Sequence, residues 1–574
     1  MRTSRLLQIV VFTFMTAFTY SAFGQDEEGP ATLLPDIDPQ DIEIRGEFDV
    51  RFQGLSRQPI LGFSPTPPVY RVDPDRMPFL ESDEEVVASV PLSDLEPALK
   101  PEQNFIQFAE QQNIYSRLGA GSYMSPELKF ISEMPISEQE SMAIDMGHHS
   151  SEGDRDFSSF RDFNGEIQWT RRSGEHHWGL GVNGASTFNY SPLSDPGLVS
   201  VADPQKAKRL SEYQFGVEGR WQMLESAFNG WQSRAKLQYF SKEGEELSGG
   251  NKLNIDETFY SIDLNRFWEG SQIEQVFGIQ ARAAGSWYNT RPDDSQYWLT
   301  NSIGARYRHL FGYSHQIEAR LNFYQLSDPV NDSDLYLYPD IRYRYQGTNR
   351  YTVVLQVRGF VKDPSLANIH RENRFNLQHN LDVQHDRGLH IRMHTDVQIR
   401  SHTKLYSGLD YWQYYNKGYY SSLSNPASIF FEQHYAEDAT HVEWYNGITQ
   451  NLSALRTKAS FELGFNFTSV NEDVIPSGEI PYVPDWRGRA HVMFNPVERL
   501  DISGWMDMVG DRSTFQDGEN VNGFVQLGFR SDIRITENFG AYFKALNILD
   551  QDYEIWQNYN ERPLQLYGGL TLHW

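Results

Sequence analysis

Along most of this chain, apolar and polar residues alternate one by one. From 521 to 535 the odd positions run Val521, Gly523, Val525, Leu527, Phe529, Ser531, Ile533 and Ile535. The even positions run Asn522, Phe524, Gln526, Gly528, Arg530, Asp532 and Arg534. A period of two sends successive side chains to opposite faces of a strand, so this stretch predicts one long strand with an apolar and a charged face. The last residues repeat the rhythm, with Leu564, Leu566, Gly568, Leu570, Leu572 and Trp574 set against Gln565, Tyr567, Gly569, Thr571 and His573. It recurs at 231–241 (Trp231, Ala235, Leu237, Tyr239), 316–324 (Ile317, Ala319, Leu321, Phe323), 351–361 (Val353, Leu355, Val357), 389–399 (Leu389, Ile391, Met393, Val397) and 457–467 (Ala459, Phe461, Leu463, Phe465). The opposite faces of these segments are too charged for a packed soluble core and should line water.

Short connections at 228–230, 312 and 348–349 alternate with longer ones at 191–209, 244–254 and 406–439. Short turns at one end and long loops at the other predict an all-β chain forming a transmembrane antiparallel β-barrel over residues 111–574. Counting segments gives roughly 22 strands, too many for the barrel's own side chains to fill its interior, so the lumen is an aqueous channel or holds a plug. A soluble sandwich or propeller would instead show an internal repeat of about 40–50 residues, and the sequence has none.

An alternating strand that ends on an aromatic, Trp574, suits a sheet whose last strand pairs with its first and leaves no edge. The end of the chain resembles the end of TonB-dependent receptor barrels. Asn547, Ile548, Leu549, Asp550 and Tyr553 match the family's Asn–apolar–apolar–Asp–x–x–Tyr run, and Tyr567, Gly568, Leu570, Leu572 and Trp574 fall in its closing strand. Trp574 stands where the family usually has Phe, and keeps an aromatic for the barrel assembly machinery to read. The resemblance implies an outer-membrane location, surrounding lipid, no cofactor, and solute binding or passage as the function. It also implies TonB as a partner and a globular N-terminal plug, for which residues 25–110 are too few and too irregular.

Residues 1–24 read as a secretory signal peptide, with Arg2 and Arg5 before an apolar stretch over 6–20 and Ala22-Phe23-Gly24 as the cleavage site. Residues 25–110 are rich in proline and acid, without sustained alternation, and are expected to form an extended periplasmic or lumenal segment. Within them Asp41, Ile42, Glu43 and Ile44 resemble a TonB box. The other reading is a short strand or linker.

The chain of 574 residues has no cysteine, which excludes disulfides and thiolate metal sites, and a net charge of −27, which makes nucleic acid a poor partner. Its 31 Tyr, 36 Phe and 13 Trp fit interfacial girdles on a barrel. Six of them, Tyr411, Trp412, Tyr414, Tyr415, Tyr419 and Tyr420, fall in the stretch read as a loop. They form a candidate stacking surface for a sugar, an aromatic siderophore or a partner protein, the alternative being a girdle. His385, His390, His394 and His402 are near in sequence, yet residues four apart on a strand lie about 13 Å apart, which favours a polar lining over a metal site. Phosphate loops, dinucleotide fingerprints and metalloprotease motifs are absent, so no enzyme is expected. Two functions remain open: solute binding or passage, or a structural barrel that holds a periplasmic or surface partner through its N-terminal segment.

Overall fold

A computed structural model describes residues 113–574, apart from 155–157, 191–207, 227, 247–251, 272–273, 292–293, 313, 348–349, 377–380, 401, 423–430 and 558. The expected signal peptide, the 25–110 segment and the Asp41–Ile44 motif lie outside these residues. Antiparallel strands follow one another around a closed ring of 22. The ring closes where Asn113–Gly121 pairs with Gln565–His573, Tyr115 opposite His573 and Gly121 opposite Tyr567. Two backbone bonds extend that seam, Ile114 N–H to Trp574 O at 2.7 Å and Trp574 N–H to Ile114 O at 2.8 Å. Among the described residues no strand of the ring lacks a neighbour on either side, which is how a sheet survives in hydrocarbon.

Alternation decides which way each strand faces. Leu237, Leu264, Ile303, Leu321, Leu337, Leu355, Phe461 and Leu570 all point away from the lumen and are exposed, as lipid-facing residues of a barrel must be. At the short-turn end this apolar band meets a ladder of ring contacts on the same outer face. It runs from Phe277 to Tyr307 (5.1 Å), from His309 to Phe311 (4.8 Å), from His315 to Tyr345 (4.8 Å) and on to Tyr351 (5.5 Å). Amphipathic rings at one height mark a membrane interface. The turn between Asp294–Phe311 and His315–Ser327 is tight enough to hold Gly312 at φ 47°, where a side chain would be strained.

Three expectations need correction. The stretch 406–439 is mostly strand: Thr403–Ser422 pairs with Asp386–Arg400 on one side and Ala439–Leu452 on the other. Its upper part, 417–422, also carries the short rim strand Phe431–Ala436. The stretch 244–254 is likewise strand at both ends, belonging to Asn229–Glu246 and Lys252–Glu269. These strands rise past the lipid, where nothing selects an apolar face, so the alternation fades while the hydrogen bonding continues. Finally, the barrel strand predicted from 521 is Phe524–Arg534, while Val521 pairs with Arg512 in a small rim hairpin.

Candidate functional site

The six aromatics predicted as one surface are parted by the strand that carries them. Tyr411 and Tyr415 face outward, and Trp412 and Tyr414 face inward. Trp412 is stacked between His390 (4.8 Å) and His441 (4.7 Å) from the neighbouring strands, so both of its faces are taken. Tyr419 and Tyr420 stand higher and are buried in two separate apolar clusters. Below them, Tyr406 lies across Gly447 and Tyr445 across Gly408, a reciprocal pair in which a Cβ on either glycine would collide with the facing ring. His390 and His394 line the lumen as expected and are committed to neighbours, His390 to Asp410 (2.6 Å) and His394 to the Tyr445 hydroxyl (3.0 Å). Among the described residues no group of three or more His, Asp or Glu is placed to hold a metal ion.

The larger finding, invisible to the alternation, is a roof over the long-loop mouth. Residues 363–376 leave the strand Tyr351–Lys362 and form helix α1 (Leu366–Glu372), and 381–385 lead into the wall strand that begins at Asp386. Leu366, Ile369 and His370, spaced one turn apart, give α1 one buried face. Leu366 and Ile369 join Phe375, Leu381 and Val383 in a single apolar cluster, and His370 stacks on Phe240 at 5.5 Å. That cluster reaches Leu210, Phe240, Ile255, Phe259, Tyr288 and Trp298 on the inner face of one wall, and Tyr420, Phe431 and Tyr559 from elsewhere around the ring. Phe375 stacks on Tyr559 at 3.5 Å, and Phe431 packs against Tyr482 and Trp556. The apolar contact therefore runs from strands Lys208–Ser226 to Asp294–Phe311 across to the 547–564 connection.

Polar latches fix this roof to the wall. The Glu257 carboxylate accepts from Ser365 Oγ (2.8 Å) and from the Ala367 backbone N–H (3.0 Å), so a wall residue satisfies the first turn of α1. Asp363 accepts from Arg282 (2.5 Å) and Thr300 (2.9 Å), and Asp382 accepts from Gln296 (2.6 Å). Lys242, fully buried, pairs with Glu212 (2.7 Å) and donates to Arg374 O (2.6 Å) and to His370 Nδ1 (3.1 Å). Burial, with the Lys242 charge beside it, holds the His370 imidazole well below its ordinary pKa. At the far side Arg512 donates to Asn522 O, Glu554 O and Ile555 O within 2.7–2.9 Å, tying two rim connections together. Asn547 anchors the base of one of them: its side-chain amide donates to Gln551 O and Arg562 O, both at 2.9 Å. The Asn–apolar–apolar–Asp–x–x–Tyr run thus acts as a loop clamp, with Asp550 accepting from Leu564 N–H (2.8 Å) and Tyr553 stacked on Phe524 (4.1 Å).

No family model matches the chain, and no curated protein does. Solved structures do. The barrel is similar to the copper transporter OprC (TM-score 0.65, 10% identity, 82% of each chain covered) and to the ferric yersiniabactin uptake receptor FyuA from Yersinia pestis (0.65, 12%, 82% of this chain and 81% of that one). It is also similar to the siderophore receptor PirA from Acinetobacter baumannii (0.64, 10%, 82% and 81%). At this identity the likeness is one of architecture, and the fold is that of the TonB-dependent receptor barrel.

Proposed function

We propose that this chain is an outer-membrane receptor-type barrel that takes up a solute from the cell surface, with the roof as its outer gate. Export through residues 1–24 and insertion by the machinery that reads Trp574 would put it in the outer membrane. The observation that supports the reading most strongly is the pairing of a charged, water-lining interior with a mouth bridged by packed segments, on a fold whose neighbours bear the names of siderophore receptors and a copper transporter. A purely structural barrel has no use for a latched bridge over its lumen. Asp41–Ile44 is the segment through which TonB would engage the chain, and residues 25–110 are the remaining candidate for a lower gate.

The test is single-channel conductance in planar bilayers, comparing the full chain with Glu257→Ala/Phe375→Ala, which removes a latch and a roof stack together. A quiet wild type and a conducting variant are expected. Silence in both would discard gated passage and favour the anchoring role.

A further inference from the structure

The inner wall is not evenly charged, although the chain as a whole carries −27. Alternation turns Glu127, Glu218 and Glu318 into the lumen, and each is clasped by two cations. Glu127 takes Arg117 (2.5 Å) and Lys544 (3.3 Å), Glu218 takes Arg220 and Arg234 (2.6 Å for Arg234), and Glu318 takes Arg306 (3.0 Å) and Arg320 (2.9 Å). Arg320 reaches Asp340 as well, at 4.0 Å, so the cations bridge from one carboxylate to the next along the wall. Elsewhere the balance is even, as at Arg530–Asp532, or reversed, as where Arg282 lies between Asp263 and Asp363.

What the lumen meets is more one-sided than the count. In several pairs the carboxylate lies against the wall and the guanidinium stands out from it. Arg234 keeps 49% of its side chain exposed against 11% for Glu218, Arg392 43% against 2% for Asp410, and Arg487 55% against 12% for Glu443. Lys129–Asp145 and Arg530–Asp532 run the other way. A guanidinium held by one edge still has donors left on the other, in the planar fork that suits carboxylate, phosphate and sulfonate oxygens. Cations of one sign along a passage with low-dielectric walls also concentrate counter-ions within it.

We propose that the lumen selects anions: the solute this barrel admits is a multiply charged anion, passed between outward-standing guanidiniums whose carboxylate partners serve to hold them in place. This rests on the passage reading above, and deepens it by naming the chemical class of what passes.

The test is equilibrium binding to the full chain in zwitterionic detergent, at low salt, of two fluorescent probes of opposite charge. One is pyrenetetrasulfonate, a tetra-anion; the other is a tetra-N-methylpyridinium porphyrin, a tetra-cation. The anion is expected to bind roughly tenfold tighter or better, to weaken as salt is added, and to lose most of that preference in Arg234→Gln/Arg392→Gln/Arg487→Gln. Retained heat-dependent gel mobility shows that the variant is folded, and if it is not, Arg487→Gln alone carries the comparison. Equal or cation-favouring affinity, a preference untouched by the substitutions, or no anion binding even to the roof-loosened Glu257→Ala/Phe375→Ala chain would each overturn the proposal. Anion binding without conductance would keep this inference and discard passage. Conductance with cation preference would do the reverse.

Discussion

In the wall, Leu237, Leu321 and Leu337 stay exposed, and the strands hold because their backbone groups bond to neighbours all the way round the ring. In the roof, Leu366, Ile369 and Phe375 are buried, and much of the backbone is irregular. The wall's outward apolar residues are stabilised by lipid, and the roof's by one another and by the inner wall face that they meet. A soluble mini-core has thus been assembled on a membrane scaffold. The two parts should therefore fail separately, under different insults.

The sharpest way to break the wall is at its seam. Deleting Trp574 removes backbone groups that bond both ways to Ile114, and replacing it with Asp puts a charge in place of the aromatic end of the closing strand; either change is expected to cripple insertion. The folded, heat-modifiable form should all but vanish from outer-membrane fractions, and normal levels would refute this. The roof should respond to a different change. Phe375→Ala removes a buried ring stacked on Tyr559 and is expected to cost about 3–5 kcal/mol of roof stability. Protease should then cut within 363–385 while the barrel keeps its gel mobility. Loss of the barrel as well would mean that the two regions are one cooperative unit.

The smallest effect is a matter of pH. His370 has a folded pKa below the ordinary value of about 6.5, so its contribution is present above that pH and is lost as pH falls through it, by at most about 1.4 kcal/mol per unit. Protonation would place a second positive charge against Lys242. Hydrogen exchange in 363–385, corrected for its chemical rate, should accelerate between pH 7 and pH 5 in the wild type and not in His370→Gln. Equal acceleration in both would move the sensitivity elsewhere.

The same division explains what could be read from the chain alone. Between 389 and 399 one face meets lipid and the other water, so composition reports geometry directly, and Asp386–Arg400 is where the alternation put it. Thr403–Ser422 departs from the expected loop because aromatic and polar residues occupy both faces: Tyr411 and Tyr415 turn outward, Trp412 and Tyr414 turn inward, Tyr420 enters the roof and Tyr419 a second apolar cluster. Periodicity has nothing to register there. The roof was hidden for another reason. Its latches join residues far apart in sequence, Glu257 to Ser365 and Lys242 to His370, and nothing local announces such partners. The one legible sign is α1 itself, where Leu366, Ile369 and His370 share a helical face between two alternating segments.

The pairing of Asn113–Gly121 with Gln565–His573 has a bearing on how the molecule comes into being. The first strand of the ring to be synthesised finds one of its two neighbours in the last. Order of synthesis therefore cannot be order of assembly. A contact spanning so much of the chain carries a large loop-closure entropy and forms slowly, and until it forms two bare strand edges invite pairing with other molecules. An escort that keeps those edges apart during transit is thus a requirement of the topology itself.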